Sequence, residues 1–543
     1  MKVSKQILPL ILISVLVIST GCAKIPNTNT SSNTNATTIN NTNIEKTISN
    51  KNSYETVEFD AESELYVSPS KQEMPYKISG TMSIPKGEGK SPLVLITHGS
   101  HENIEDNIRF DKGFKYLTEK LAENGYIAVA MEINNAYLWK YGDNDDNIKV
   151  PIMVDKYIES LKLANEGKNN KYKVDLKDKI DFDKVALVGH SRGGEAIFKI
   201  AQVEEKKGQK ICAILSIAPT SSSPDTPFIE TDIDTSILVP EYDGDVTTLD
   251  GFGIYDILTS KKRESFVGLT YLEKANHNYF NADIKPNDAE LLAIDVSDQL
   301  TREKQQDFLA NYAVDFFNAS MKDKVDNTAY DSKLSSIDKM YGYDVKTLFS
   351  DKNKTEIISI KDKNNFKSDG IEISITKDGL TVNNDEAQGV DTVPASLEGF
   401  NIRDLLNIKW KKADGKISFN PNTNDFSQFN SLSINIVQDP SDELNTKGEN
   451  QAFTVQIKDK KGNISKVTLD KNIPALDYIN GKAEFLELED STYKMWSSKT
   501  PLTSIKIPLT LFKDLDLSNI DEVSLIFDKT DSGSVMIGAF ELN

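Results

Sequence analysis

Five short apolar runs constrain this chain more than any other feature: Leu93 to Ile96, Ile127 to Ala130, Val185 to Val188, Ile214 to Ile217 and Ile237 to Val239. A strand with one wet face alternates apolar and polar residues, so unbroken runs of this length belong to strands covered on both faces. Segments with helical spacing lie between them. Phe114, Leu117 and Leu121 are ended by Asn124-Gly125, and Met153, Tyr157 and Leu161 by Glu166-Gly167. Alternation of strand and helix predicts a mainly parallel sheet with helices on both sides.

Ahead of these runs, alternation at Val57 and Phe59 and then at Tyr76, Ile78, Met82 and Ile84 predicts antiparallel strands. A last helix around Gln306 to Phe317 closes this part, and a charged, weakly patterned stretch follows from Met321. From about Lys354 the period changes to two, at Leu432/Ile434/Ile436, Phe453/Val455/Ile457, Ile505/Ile507/Leu509 and Val523/Leu525/Phe527, with Asp, Asn and Gly turns between. That pattern predicts an all-β sandwich. Its ending, from Ile507-Pro508-Leu509 through Phe512, Leu517 and Ile520 to Ser532-Gly533, resembles the jelly-roll, galactose-binding-like modules attached to carbohydrate-active enzymes. The resemblance implies a carbohydrate ligand for this part.

The N-terminus carries Lys2 and Lys5, a mostly apolar run from Ile7 to Ile18, and then Ser19-Thr20-Gly21-Cys22. This is the pattern of a signal peptide ending in a lipobox, with Cys22 as the lipidated residue. The run is too short to span a bilayer comfortably. Asn, Thr and Ser dominate from Asn27 to Asn43, where there is almost nothing to bury, and a disordered tether is expected. The organisation expected is thus a leader over 1–22, a tether over 23–53, an α/β domain over 54–320, a connector over 321–353 and a β-sandwich over 354–543. A chain so built is held by lipid at the outer face of a membrane. Its net charge of −20 argues against nucleic acid as a partner. Cys212, inside an apolar run, reads as a small hydrophobe, so no disulfide is expected.

The chemistry concentrates at Gly189-His190-Ser191-Arg192-Gly193-Gly194, which follows the strand Val185 to Val188 and opens the amphipathic segment of Ala196, Ile197 and Ile200. This is the G-x-S-x-G elbow in its required context, with Ser191 as nucleophile. The base comes from only four histidines. His190 lies in the elbow; His98 sits in His98-Gly99-Ser100, where loop rigidity is its reading. His101 and Glu102 are open to contact with substrate, with a solvated loop as the favoured reading. His277 follows the strand Phe266 to Leu272 and is the candidate base. The acid is expected after the strand Ile237 to Val239, within Pro240-Glu241-Tyr242-Asp243-Gly244-Asp245-Val246. Asp243, with Val246 three residues on, resembles the D-x-x-V arrangement at this corner of related hydrolases and is favoured by that resemblance; Asp245 is the alternative acid, or else a residue that stiffens the turn through backbone amides. The oxyanion donors expected are the amides of Arg192 and Ser100.

Together Leu95 to Ser100, Gly189 to Glu195, Tyr242 to Val246 and Ala275 to Phe280 resemble bacterial secreted α/β-hydrolases related to dienelactone hydrolases, cutinase-like esterases and acetylhydrolases. The likeness covers roughly Tyr76 to Phe317. It implies an α/β-hydrolase fold and ester hydrolysis through an acyl-enzyme on Ser191, Asp243 and His277, with neither metal nor organic cofactor. A small or polymeric ester, such as an acylated glycan, is the implied substrate. Two other readings stay open: a surface glycan-binding protein with an idle hydrolase domain, and a peptidase or acyltransferase on the same scaffold. Asp143, Asp145 and Asp146 lack the glycine of a calcium loop and read as solvated. Glu195 suits a helix's first turn. Trp410 and Trp496 read equally as core or as sugar platforms.

Overall fold

The computed structural model describes residues 36–46, 52–105, 107–142, 146–221, 231–292, 294–377, 380–382, 387–389, 404–488 and 491–543. The leader, Cys22 and most of the expected tether lie outside these residues. Residues 36–543 form one compact unit of mixed α/β content with large sheets and few helices.

The largest sheet has eleven strands: β1 (Thr42–Ile44), β2 (Tyr54–Val67), β3 (Glu73–Pro85), β4 (Ser91–Thr97), β5 (Ile127–Met131), β6 (Ile180–His190), β7 (Ile211–Ile217), β8 (Asp234–Tyr242), β9 (Val267–Asn276), β10 (Ile337–Met340) and β11 (Tyr343–Ser350). Their spatial order is β1-β10-β11-β9-β8-β7-β6-β4-β5-β3-β2. The six from β9 to β5 are mutually parallel. Pleating splits the apolar runs between two layers. Leu93, Leu95, Val185 and Leu187 join one apolar cluster with Val154, Tyr157, Ile197 and Ile200, from helices α2 (Asp146–Asn165) and α3 (Arg192–Lys206). Val94, Ile96, Ala186 and Val188 join the other with Leu117 of α1 (Lys115–Glu123) and with Phe308 and Phe317 of a long helix, Arg302–Lys322. Covering on both faces is why these strands carry no polar alternation.

After β4 the chain crosses to β5 at one side and returns to β6 at the other. The loops leaving the carboxyl ends of adjacent β4 and β6 therefore diverge, which opens a crevice between them.

The C-terminal part is built on two large sheets around a third apolar cluster, with a separate two-stranded hairpin of Ala483–Leu488 and Ser491–Trp496. Ile434, Ile436, Ile505 and Val535 come from an eight-stranded sheet; Phe453, Val455, Val523 and Leu525 come from a six-stranded one. The opposite face of the eight-stranded sheet is not wet. Leu405, Val437, Leu502 and Met536 join the apolar cluster that contains Leu348 and Tyr271 of the large sheet. Polar groups seal the same seam. Buried Lys346 of β11 donates to the Pro474 carbonyl at 2.8 Å and pairs with Asp477 at 2.6 Å. Buried Lys506 donates to the Asp331 carbonyl at 2.8 Å and sits over the Phe349 ring.

Two segments differ from their sequence reading. The expected connector over 321–353 carries β10 and β11, which pair with each other and extend the large sheet; their charged residues mask strands whose outer partners, β1 and β9, are remote. Within the expected tether, Thr37–Thr38 pairs parallel with Ile464–Leu469 of the six-stranded sheet, and β1 pairs with β10. Ile39 and Ile44, the apolar residues of this polar stretch, are buried in different clusters. Among the described residues no helix is long and apolar enough to cross a membrane.

Candidate active site

The strand β6 delivers Ser191 to a sharp corner ahead of α3, with φ 58° and ψ −127°. A side chain at such a φ costs on the order of 1–3 kcal/mol and persists only where the surroundings fix it. Here the Ser191 N–H donates to the Ile217 carbonyl at 3.0 Å, and the Gly194 N–H donates to the Ser191 carbonyl at 2.8 Å. The flanking glycines are needed for close approach. A Cβ at Gly189 would overlap the Gly193 carbonyl, and one at Gly193 would lie 2.5 Å from the His98 carbonyl oxygen.

His277 follows β9 and is fully buried. Its Nδ1 meets Asp243 Oδ2 at 3.0 Å, while Asp243 Oδ1 accepts the N–H groups of Asp245 at 3.1 Å and Val246 at 2.6 Å. Asp243 therefore orients the imidazole and caps its own loop at once. Asp245 does not take the loop-capping role open to it from sequence. Its side chain is 56% exposed against 1% for Asp243, and its Oδ2 lies 3.5 Å from Nε2, the opposite ring nitrogen. Nε2 itself is buried and makes no hydrogen bond among the described residues. Burial opposes a charge on His277, yet Asp243, then Asp245 and Asp288, outweigh it and raise the pKa to about 9.

All four histidines of the chain gather here. The His190 ring lies 4.7 Å from that of His277 and bonds the His277 carbonyl through Nε2 at 3.0 Å. His101 is not a solvated loop residue: its ring lies 5.2 Å from His190 and 6.5 Å from His277, and its Nε2 is buried. Burial, then the neighbouring imidazoles, pushes His101 and His190 well below the ordinary histidine range, so both are neutral. His98 accepts the Ile133 N–H at Nε2 (3.1 Å), which leaves Nδ1 to donate to the Gly99 carbonyl at 2.8 Å. It stiffens the loop that carries Ser100. That loop packs on Ser191, since a Cβ at Gly99 would lie 2.5 Å from Ser191 Cβ. Gly99, the residue before Ser100, therefore lies against Ser191.

Residues 44–241 match the chlorophyllase family model. The match holds β2 through β7 and all but the last residue of β8, and with them Ser191, but ends short of Asp243 and His277. A stretch of 143 residues is 26% identical to Esterase EstD of Thermotoga maritima, and covers 26% of this chain and 30% of the esterase. The chain thus spans under a third of the length of the curated relative it matches.

Two residues escaped the sequence reading. Asp288, 3% exposed, accepts backbone N–H groups from both the Asp243 loop and the His277 loop. Gln305, from the helix Arg302–Lys322, brackets Asn276: its Oε1 accepts the Asn276 N–H at 3.0 Å and its Nε2 donates to the Asn276 carbonyl at 2.6 Å. Neither lies in a local motif. Of the remaining candidates, Glu195 accepts a hydrogen bond from Thr220 Oγ1 at 3.2 Å, and Cys212 is half-buried with Sγ on the Asp183 carbonyl. Trp410 is buried and stacks on Phe527 at 4.2 Å, so its ring is core. Asp143 and Asp145 lie outside the described residues.

Proposed function

We propose that this protein is a serine carboxylic ester hydrolase of the α/β-hydrolase fold, with a C-terminal β-sandwich. The observation that carries the reading is the Asp243–His277 hydrogen bond beside a strained serine elbow. The likeness of residues 44–241 to chlorophyllases, and of a shorter stretch to an esterase, supports ester chemistry.

In this reading His277 Nε2 takes the proton of Ser191 Oγ as the oxygen attacks the ester carbonyl, and the Ser100 and Arg192 amides receive the developing oxyanion. Collapse breaks the bond to the alkoxy oxygen, which leaves with the proton from His277. Water, deprotonated by the same imidazole, then cleaves the acyl-enzyme and frees the acid and Ser191. Asp243 holds the Nδ1–H tautomer and stabilises the imidazolium throughout. Lipid on Cys22 would hold the enzyme at the outer face of a membrane, and the sandwich suits a substrate larger than a simple ester, such as an acylated glycan.

A fluorophosphonate probe tests the core of this proposal. The wild-type chain should be labelled and Ser191→Ala should be neither labelled nor active, with an unchanged circular dichroism spectrum. Labelling that persists in Ser191→Ala overturns the assignment.

A further inference from the structure

We propose that Asp288 is a positioning residue of this site: its carboxylate clamps the loop bearing Asp243 to the loop bearing His277, and it does so only as an anion. The inference rests on the Ser191–Asp243–His277 reading above. Asp288 Oδ2 accepts two N–H groups, from His277 itself at 3.0 Å and from Gly244 at 2.9 Å; Oδ1 accepts the N–H of Asn278 at 2.9 Å. The two ends of the Asp243–His277 bond are therefore each anchored within one peptide unit of themselves, by one buried side chain. The backbones are equally close, because a Cβ at Gly244 would overlap the Asp288 carbonyl oxygen.

Three donors converge on two oxygens, and only a carboxylate offers acceptors at both. An asparagine with its oxygen at the Oδ2 position turns its NH2 onto the Asn278 N–H; reversed, it faces the two N–H groups of His277 and Gly244. Either way a buried donor is left unpaired, at a cost the loops relieve by moving apart. The charge acts as well as the geometry. The groups facing His277 are Asp243 at Nδ1, Asp245 near Nε2, Asp288 at its amide, and the rings of His190 and His101, both neutral. Asp288 is one of three carboxylates that favour the imidazolium, so its loss weakens the base as well as displacing it.

The test compares full-length wild type, Asp288→Asn, Asp288→Ala and Ser191→Ala on a small soluble ester between pH 6 and 10, with fluorophosphonate labelling rates and melting temperatures alongside. For Asp288→Asn, kcat should fall about 10²-fold, as expected when a reacting group is misplaced by about an ångström. KM should stay within about twofold, because no substrate contact is removed. The apparent pKa of the base should move down, labelling should slow in parallel, and Asp288→Ala should be worse. Should the alanine variant not fold, the isosteric asparagine decides alone. A wild-type kcat in Asp288→Asn, or a lower kcat with an unmoved pH profile, overturns the clamp while an inert Ser191→Ala leaves the triad standing. Turnover by Ser191→Ala would instead sink the reading beneath it.

Discussion

Replacing Asp243 by asparagine removes one oxygen from a group whose two oxygens do different work, and the outcome follows from which way the amide settles. With its nitrogen toward the Asp245 and Val246 N–H groups, two donors would face a donor at distances now 3.1 and 2.6 Å. The opposite orientation avoids this by keeping the oxygen on the loop and turning NH2 toward His277. Nδ1 must then accept, so the ring proton moves to Nε2, the nitrogen that takes the proton of Ser191 in the proposed mechanism. The fold survives and the base is lost. The expected fall in kcat is about 10⁴-fold, as for other serine triads in the wrong tautomer, or about 5.4 kcal/mol of transition-state stabilisation. Asp245→Asn, by contrast, alters an exposed group 3.5 Å from Nε2 and should change kcat by less than about tenfold. Steady-state rates on a soluble ester, with circular dichroism for each variant, measure both. A crippled Asp245→Asn beside a nearly normal Asp243→Asn would refute the reasoning and exchange the roles.

Activity on the same ester should climb with pH toward an apparent pKa of about 9, since His277 must be neutral to accept a proton; a plateau already reached by about pH 7, with chemistry limiting, would contradict the influence of the three carboxylates. The same shift acts on stability in the opposite sense. A raised histidine pKa stabilises the fold fully below the unfolded value of 6.5 and loses that contribution as pH rises toward 9, so melting temperature should decline across this window and should decline less in His277→Gln. Gly193→Ala pushes a methyl group to 2.5 Å from the His98 carbonyl oxygen and should cost about 1–3 kcal/mol, read as a lower melting temperature together with slower labelling. A chain ending at Asp351 strips Leu405, Val437, Leu502 and Met536 from their cluster with Leu348. At about 1.5–3 kcal/mol per side chain this rivals the stability of a whole domain, so the fragment should be insoluble. A soluble, active fragment would show the two parts to be separable.

The readable and unreadable parts of this molecule divide by range. The elbow is legible because its strand, glycines and helix are contiguous in sequence, and the apolar runs because a strand covered on both faces leaves its own signature. Asp243 and His277 could be picked out by chain order after two recognisable strands. Proximity across loops left no such mark. Asp288 lies 45 residues after Asp243 in an unremarkable segment, and nothing around His101 signals that its ring would lie among those of the other three histidines. That Asp243 rather than Asp245 caps the loop was hidden for the same reason, because one carboxylate can serve both imidazole and loop only in three dimensions. The double burial of the eight-stranded sheet was equally hidden: its strands keep the period of two expected of one face, with Val437 and Met536 as the sparse signs of the other.

The pairing of Thr37 with Val467, and of Thr42 with Ile337, also sets a timetable. At a synthesis rate of about 5–20 residues per second, the first strand to leave the ribosome waits on the order of 20–90 s before its partner exists. Once made, β10 and the strand Ile464–Leu469 each present a free edge until that early segment docks on them, the kind of long-range closure that slows folding and exposes a chain to wrong partners. The segment made first is the bolt shot last, and a chaperone that holds the nascent N-terminus would act on the step that locks both sheets together.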